Sequence, residues 1–465
     1  MNTGDDMDGN YCRYIRLPVG IPIIIALLFA SVFLTFRLKF FQFRIPLYIF
    51  QQTIGQVGKK TKGKGTITPF QTMTTALSST IGAANIVGVP VAIMLGGPGA
   101  LFWMWVIAFI GMALKFGETV LGVHYREKNA AGEYVGGPMY YMQNGIKWPV
   151  IGKILAVWYA FFLMIELIPS IMVQSNSVAS TVTASFSVPP IYTGIFIAIF
   201  AGIVVFGGVR RIGRVTSYLV PVMAFFYIIA GLIIIFMHIE MVPEIFALIF
   251  TEAFNPTAAL GGGAGVVLAE SIRWGFARGI YSNEAGLGTS PIAHAAAQTD
   301  HPVRQAFWAI VQIVVDTLII CTITGFVVLI TGVWQHGDAH EDTVREALTS
   351  RAFEEAFGTW GSSVVAVALV LFVFSTITVV IFYGARQAEF LFGLWAGKVI
   401  KVVYIISIVI GAIGGATFLW SLLDLTLFFV VLPNLIAVFL LSPKIVELYK
   451  EFFHTEGKYY KKDRE

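Results

Sequence analysis

The sequence predicts an all-α polytopic membrane protein with eleven transmembrane helices, one leading helix followed by a 5+5 inverted repeat that carries two broken helices. Three observations predict it. Of 465 residues, 57% are hydrophobic and only 12% charged, against about 25% charged in an ordinary soluble domain. So few charges cannot clothe a water-facing surface. Eleven apolar segments lie near the ~20 residues that a spanning helix needs. Finally, basic residues alternate between the connecting loops.

In chain order the segments are 17–36, 70–97, 99–122, 148–186, 190–207, 212–238, 258–281, 303–333, 361–392, 399–420 and 424–442. The first is the leading helix. Residues 70–238 form the first set of five and 258–442 the second, between an outer segment 1–16 and a tail 443–465. The fourth segment is long and carries Pro169, which predicts a kink. The loop "FRLKFFQFRIPLYIFQQTIGQVGKKTKGKG" holds seven Lys and Arg. Alternating from it, one side collects 23 basic residues and the other 4, with four more inside the spans. Basic loops face the cytoplasm, so the N-terminus is expected outside the plasma membrane and the C-terminus inside.

Composition also excludes. The two cysteines, Cys12 and Cys321, suggest neither a disulfide framework nor a zinc site. The acidic N-terminal stretch does not read as a cleavable signal. The seven histidines show no metal-ligand spacing. There is no P-loop, so any work must draw on an ion gradient. The expected partner is the lipid bilayer, with no nucleic acid, no obligate protein and no organic cofactor. No loop is large enough for a catalytic domain, so the chain is not expected to be an enzyme.

The second segment, "TALSSTIGAANIVGVPVAIMLGG", is apolar but interrupted by Gly82, hydroxyls, Asn85 and Pro90. The seventh, "AALGGGAGVVLAESIRWGFARGIYS", is Gly-interrupted too and opens the second set of five. Matching interruptions in inverted halves point to a transporter's binding site, because unwound backbone at bilayer depth is tolerated only where it lines protein or a cavity. A broken helix frees N–H groups on one half, which favour a carboxylate, and C=O groups on the other, which favour a cation. Close packing of small residues is the competing explanation, and it weighs more for "GGGAG" than for the first break.

The blocks "TALSSTIGAANIVGVPVAIMLGGPGALFWMWVIAFIGMALKFGETVLGVHYR", "GEYVGGPMYYM" and "GIYSNEAGLGTSPIAHAAAQTDHPVRQ" resemble the alanine/glycine:cation symporter family from about residue 17 onward. The resemblance implies a leucine-transporter type of fold and Na⁺-coupled uptake of a small neutral amino acid, alanine or glycine. Carried over residue by residue, it implies that the Gly82, Ala83 and Ala84 amides hold the substrate carboxylate. Asn85 and the Thr80 carbonyl would face one Na⁺. Carbonyls near Ser78 and Ile81, with the Ser375 and Thr376 hydroxyls, would face a second; ordinary back-bonding is the alternative for that hydroxyl pair. Gln174, in "MVQSNSVAS", would face the substrate or bond another helix. Trp274, Phe276, Gly279 and Ile280, around the second break, would shape the side-chain pocket or simply pack.

The chain departs from the family in one place. After "FSTI", many members read like "LGWSYYGER", whereas this chain reads "TVVIFYGAR". Val379, Val380 and Ala385 stand where a glycine, a tryptophan and an acid are usual. Valine for tryptophan enlarges the wall that the resemblance puts near the substrate, so either a larger amino acid is expected or a neighbouring bulky residue compensates.

Five acids sit in or near spans, where each is a functional candidate. Lys115 is expected to pair with Glu118, Arg386 with Glu389 and Arg273 with Glu270. Glu166 has no assigned partner. Asp316 either helps a cation site or bonds a helix break. A protonatable Asp316 would be the hook for a proton-coupled carrier, the alternative to Na⁺ coupling. An ion channel and a non-transporting sensor are the remaining rivals.

Overall fold

The computed structural model describes residues 22–59, 61, 63–254, 264–335, 342–414 and 416–454. Besides short helices at Phe41–Arg44, Pro46–Gln52, Pro138–Gly145 and Val242–Phe254, its helices include α1 (Pro22–Arg37), α2 (Pro69–Thr80), α3 (Val89–Gly96), α4 (Ala100–His124), α5 (Pro149–Phe186), α6 (Pro190–Val205), α7 (Gly208–Met237), α8 (Ala264–Asn283), α9 (Ser290–His294), α10 (Pro302–Ile313), α11 (Thr322–Thr331), α12 (Asp342–Phe357), α13 (Thr359–Phe392), α14 (Leu394–Ile413) and α15 (Ala416–His454). Two short strands, β1 (Glu127–Lys128) and β2 (Tyr134–Val135), pair antiparallel as a hairpin.

Seven described helices are long and apolar enough to cross a membrane, and eight if α2 and α3 form one bent span. α1 and α6 are shorter apolar helices. α10 and α11 are one span joined by a π-helical stretch, Val314–Cys321. α5 continues through Pro169 without ending. The apolar exterior, such as Phe196, Ile199, Phe200 and Ile203 on α6, is exposed because lipid is its solvent. Trp148, Trp360 and Trp395 lie exposed at helix starts, where interfacial aromatics belong.

The helices pack in two groups. α4 lies against α8 and α10, and α3 against α8. α5 lies against α13, α14 and α15, and α14 against α6. Glycines set the close approaches: a Cβ on Gly275 or Gly279 of α8 would fall 2.5 Å from the Ala100 carbonyl oxygen or 2.4 Å from Ile107 Cγ2. α2 touches both groups, packing on α10 and on α13 and α7. The first break therefore sits where they meet.

Candidate functional site

α2 opens with a capping box, in which Thr68 and Gln71 satisfy each other's backbone N–H groups. It stops at Ile81, which is extended (φ −80°, ψ 94°). The chain then enters a π-helical stretch, Ala84–Gly88, and continues as α3, bent 49° from α2. Ser78 through Asn85 are all buried. The expected first interruption is thus present, inside protein and not against lipid.

The freed N–H groups have identifiable partners. Gly82 N–H donates to Asn85 Oδ1 at 3.0 Å, and Ala83 N–H donates to Gln174 Oε1 of α5 at 3.0 Å. Ala84 starts the π turn. The freed Ile81 carbonyl accepts from Thr376 Oγ1 of α13 at 2.9 Å. That hydroxyl also reaches the Phe372 carbonyl at 2.9 Å, and Ser375 Oγ back-bonds the same carbonyl at 2.8 Å. Thr80 Oγ1 turns back to the Leu77 carbonyl. Ser78 Oγ is fully buried with no hydrogen-bond partner. An orphaned buried oxygen about one turn before Ile81 suits a small hard cation.

Asn85 reaches further. Its Nδ2 donates to Asp316 Oδ1 at 2.8 Å, and Ser282 Oγ and Thr317 Oγ1 donate to Asp316 Oδ2 at 2.6 and 2.8 Å. Asp316 comes from the π stretch of the α10–α11 span. Of the two roles left open for it, bonding a helix break is the one its contacts describe.

The glycine run read as the second interruption is not among the described residues, and a helix end follows it at 284–289. Gly261–Gly263 fall outside the described residues, and α8 runs unbroken through Trp274, Phe276, Gly279 and Ile280 to Asn283. Helix ends at 284–289, where Glu284, Gly286 and Gly288 take positive φ. Glycine in a helix costs only about 1 kcal/mol, and tight packing on α4 offsets it. Three residues of positive φ within five positions, by contrast, cannot continue a right-handed helix. Phe276 meets the Trp103 ring of α4 edge-on at 5.5 Å, and Trp274 lies between the Arg273 and Arg278 guanidiniums. The Ile280 carbonyl accepts from Glu284 N–H at 2.8 Å. Val380 is buried on α13, one turn beyond Thr376.

Around this helix end lie contacts the sequence reading did not give. Lys115 does not pair with Glu118 among the described residues. Its Nζ donates to the Asn283 carbonyl, while Glu118 Oε1 accepts from Asn434 of α15. Both are wholly buried, and at three residues' spacing each reaches a different helix. Glu284 accepts from Ser79 of α2 and Thr289, and Gln312 ties α10 to the Ala76 carbonyl. The signal was in "GIYSNEAGLGTSP", read for likeness and not for contacts. Arg386–Glu389 and Arg273–Glu270 pair at 2.6 and 2.8 Å. Asn176, near Gln174, instead bonds the Gly411 and Gly414 carbonyls of the α14 end.

A membrane-embedded helical fold with a break buried between two helix groups defines a transporter. The chain belongs to the sodium:alanine symporter family, whose profile matches residues 13–465. It is 60% identical over 444 residues, 96% of this chain and 93% of the other, to an uncharacterised transporter, YflA, of Bacillus subtilis. It is 40% identical over 431 residues, 92% and 94% of the two chains, to the sodium/alanine symporter AgcS of Methanococcus maripaludis. Its fold is similar, at TM-score 0.50 and 12% identity over 94% of this chain and 86% of the other, to a Na⁺-coupled sialic acid symporter in a substrate-bound outward-open state.

Proposed function

We propose that this chain carries a small neutral amino acid into the cell together with Na⁺, by alternating access, in the plasma membrane with its N-terminus outside. One observation carries the reading: at the α2–α3 break, neighbouring backbone N–H groups of Gly82 and Ala83 each hold a side-chain carbonyl oxygen. Two adjacent amide donors are what a carboxylate's two oxygens require. The amides of Gly82, Ala83 and Ala84 hold the substrate carboxylate, and Gln174 borders it. Ile81 and Ser78 with Ser375 and Thr376 form one Na⁺ site, and Asn85 and Thr80 border another. Neutral oxygens bind a cation firmly enough to order the break and weakly enough to release it. Val380 sets the size of the side-chain pocket, which extends the range beyond alanine and glycine. Phe276 and Gly279 serve by seating α8 on α4. The α2–α4, α8 and α10 group then rocks against the α5, α6, α13 and α14 group. All eleven segments serve as spans, in two inverted sets of five behind a leading helix.

The family and the AgcS relative support Na⁺ and alanine as the first pair to test. Purified protein in vesicles should take up radiolabelled alanine when Na⁺ is imposed outside, and not otherwise. Uptake that ignores Na⁺ and follows an imposed H⁺ gradient would replace this reading with the proton-coupled one. Ion conduction without substrate would replace it with a channel.

A further inference from the structure

Lys115 of α4 is wholly buried, and its Nζ donates to the carbonyl of Asn283, the residue at which α8 ends. No ion pair among the described residues includes it. An ammonium sealed inside a membrane protein on one carbonyl is costly unless other charges compensate it. Its surroundings do so in two ways. The freed carbonyls of a helix C-terminus carry partial negative charge. Three carboxylates also act on it across a gap, Glu284 most strongly, then Asp316 and Glu118. His294 of α9 lies near enough to feel the same ammonium.

The three acids do not need Lys115 equally. Glu118 Oε1 accepts from Asn434 Nδ2 at 2.5 Å, and Asp316 accepts from Asn85, Ser282 and Thr317. At both, hydrogen bonds outweigh the Lys115 charge. At Glu284 the order reverses. There the Lys115 charge outweighs the two hydroxyl bonds, from Thr289 Oγ1 at 2.6 Å and Ser79 Oγ at 3.1 Å. The other titratable groups around the half-buried Glu284 are acids and phenols: Asp316, Glu166 and Tyr159 of α5, and Tyr383 of α13. Lys115 is thus the one positive charge acting on Glu284 among the described residues.

We propose that Lys115 is a resident cation of the transport machinery: it holds the carbonyl end of α8, balances Glu284, and through Glu284 fixes Ser79 beside the first break. Ser79 lies two residues before Ile81, where α2 stops. A covalently held ammonium does at the end of α8 what a free ion would otherwise have to do. The tie between the two helix ends therefore draws on no transported cation. Lys115 is a positioning residue, acting through Glu284 and touching neither substrate nor transported ion. The inference rests on the amino-acid symport reading and adds what keeps the two helix ends in register.

The test compares Na⁺-driven alanine uptake into vesicles by the full chain as wild type, Lys115→Met, Lys115→Met/Glu284→Gln and Lys115→Met/Glu118→Gln. Methionine keeps an unbranched stem and removes the charge. Glutamine at 284 keeps an acceptor for Ser79 and Thr289, which bond the same oxygen, Oε2. Lys115→Met should lose uptake by about tenfold or more, because it leaves a carboxylate without its countercharge. Removing both charges of such a pair is close to neutral. The Glu284→Gln double variant should therefore return to within about threefold of wild type, while the Glu118→Gln double variant stays as low as Lys115→Met. A purely packing role for Lys115 would give no such rescue. Wild-type uptake in Lys115→Met, or a Glu284→Gln double variant no better than the single one, would overturn the inference and leave the symport reading intact. If Lys115→Met does not fold, recovery of monodisperse protein on adding Glu284→Gln supports the inference, and failure of that double variant as well overturns it. Wild-type protein without alanine uptake would overturn the symport reading; melting temperatures of the same variants, expected in the same order, would then decide the Lys115–Glu284 pairing.

Discussion

A Cβ placed on Gly82 would stand 2.8 Å from Thr376 Oγ1 and 3.0 Å from Gln174 Oε1. Gly82→Ala must therefore push α5 or α13 away from the break, and Na⁺-dependent uptake should be lost while the protein still purifies as a folded monodisperse species. Asn85→Ala should also abolish that uptake, since it removes the only side chain that touches both Gly82 N–H and Asp316 among the described contacts. Thr376→Val removes a hydroxyl that holds Ile81, and Ser375→Ala one that only back-bonds Phe372 and grazes Met223. The concentration of Na⁺ for half-maximal uptake should rise about tenfold for the first, a loss of about 1.4 kcal/mol, and less for the second. Equal effects would mean the two hydroxyls share a cation evenly. At this scale the sequence was legible where chemistry is local: small and hydroxylated residues in an apolar run have few reasons to be there. It was illegible where the partner comes from far along the chain, as with Asp316 and Asn85, 231 positions apart.

Among the elements, the first break could be read because glycine, asparagine and proline interrupt one helix. The helix end at 284–289 could not, because glycine serves two ends: in α8 it permits contact with α4, and at Gly286 and Gly288 it permits positive φ. Only the backbone separates these uses. α10 carries a less expected start. His301 Nδ1 accepts from Val303 N–H, capping the helix, and burial pushes its imidazole down to about 4. The cap needs that nitrogen unprotonated. A histidine depressed in the folded state binds more protons when unfolded, so stability should rise with pH between about 4 and 6.5. Thermal melts across that range should show a shallower pH slope for His301→Asn, which keeps a cap without titrating. An unchanged slope would assign the acid sensitivity elsewhere.

For the whole molecule, the loop charge bias predicts orientation, and the packing predicts what moves. Cys321 is buried, so a Cys12→Ser background leaves little for an impermeant thiol reagent to label. In that background Lys128→Cys, in the β1–β2 hairpin, should label only from the cytoplasmic side, and Trp360→Cys, at the start of α13, only from outside. The reverse pattern would invert the topology and with it the direction of transport. That the chain is a helical membrane protein was legible because lipid demands about one length of apolar helix from every span. How the helices group was not, since lipid-facing and helix-facing surfaces are both apolar and the difference lies in which small residues meet.

The claim beneath all of this is that backbone amides at the α2–α3 break bind a carboxylate. Competition against Na⁺-driven alanine uptake by alaninamide, which has the same side chain and amine but no carboxylate, reads it directly. Alaninamide should fail to inhibit at concentrations where unlabelled alanine inhibits fully. Inhibition equal to alanine's would show that the break recognises something else.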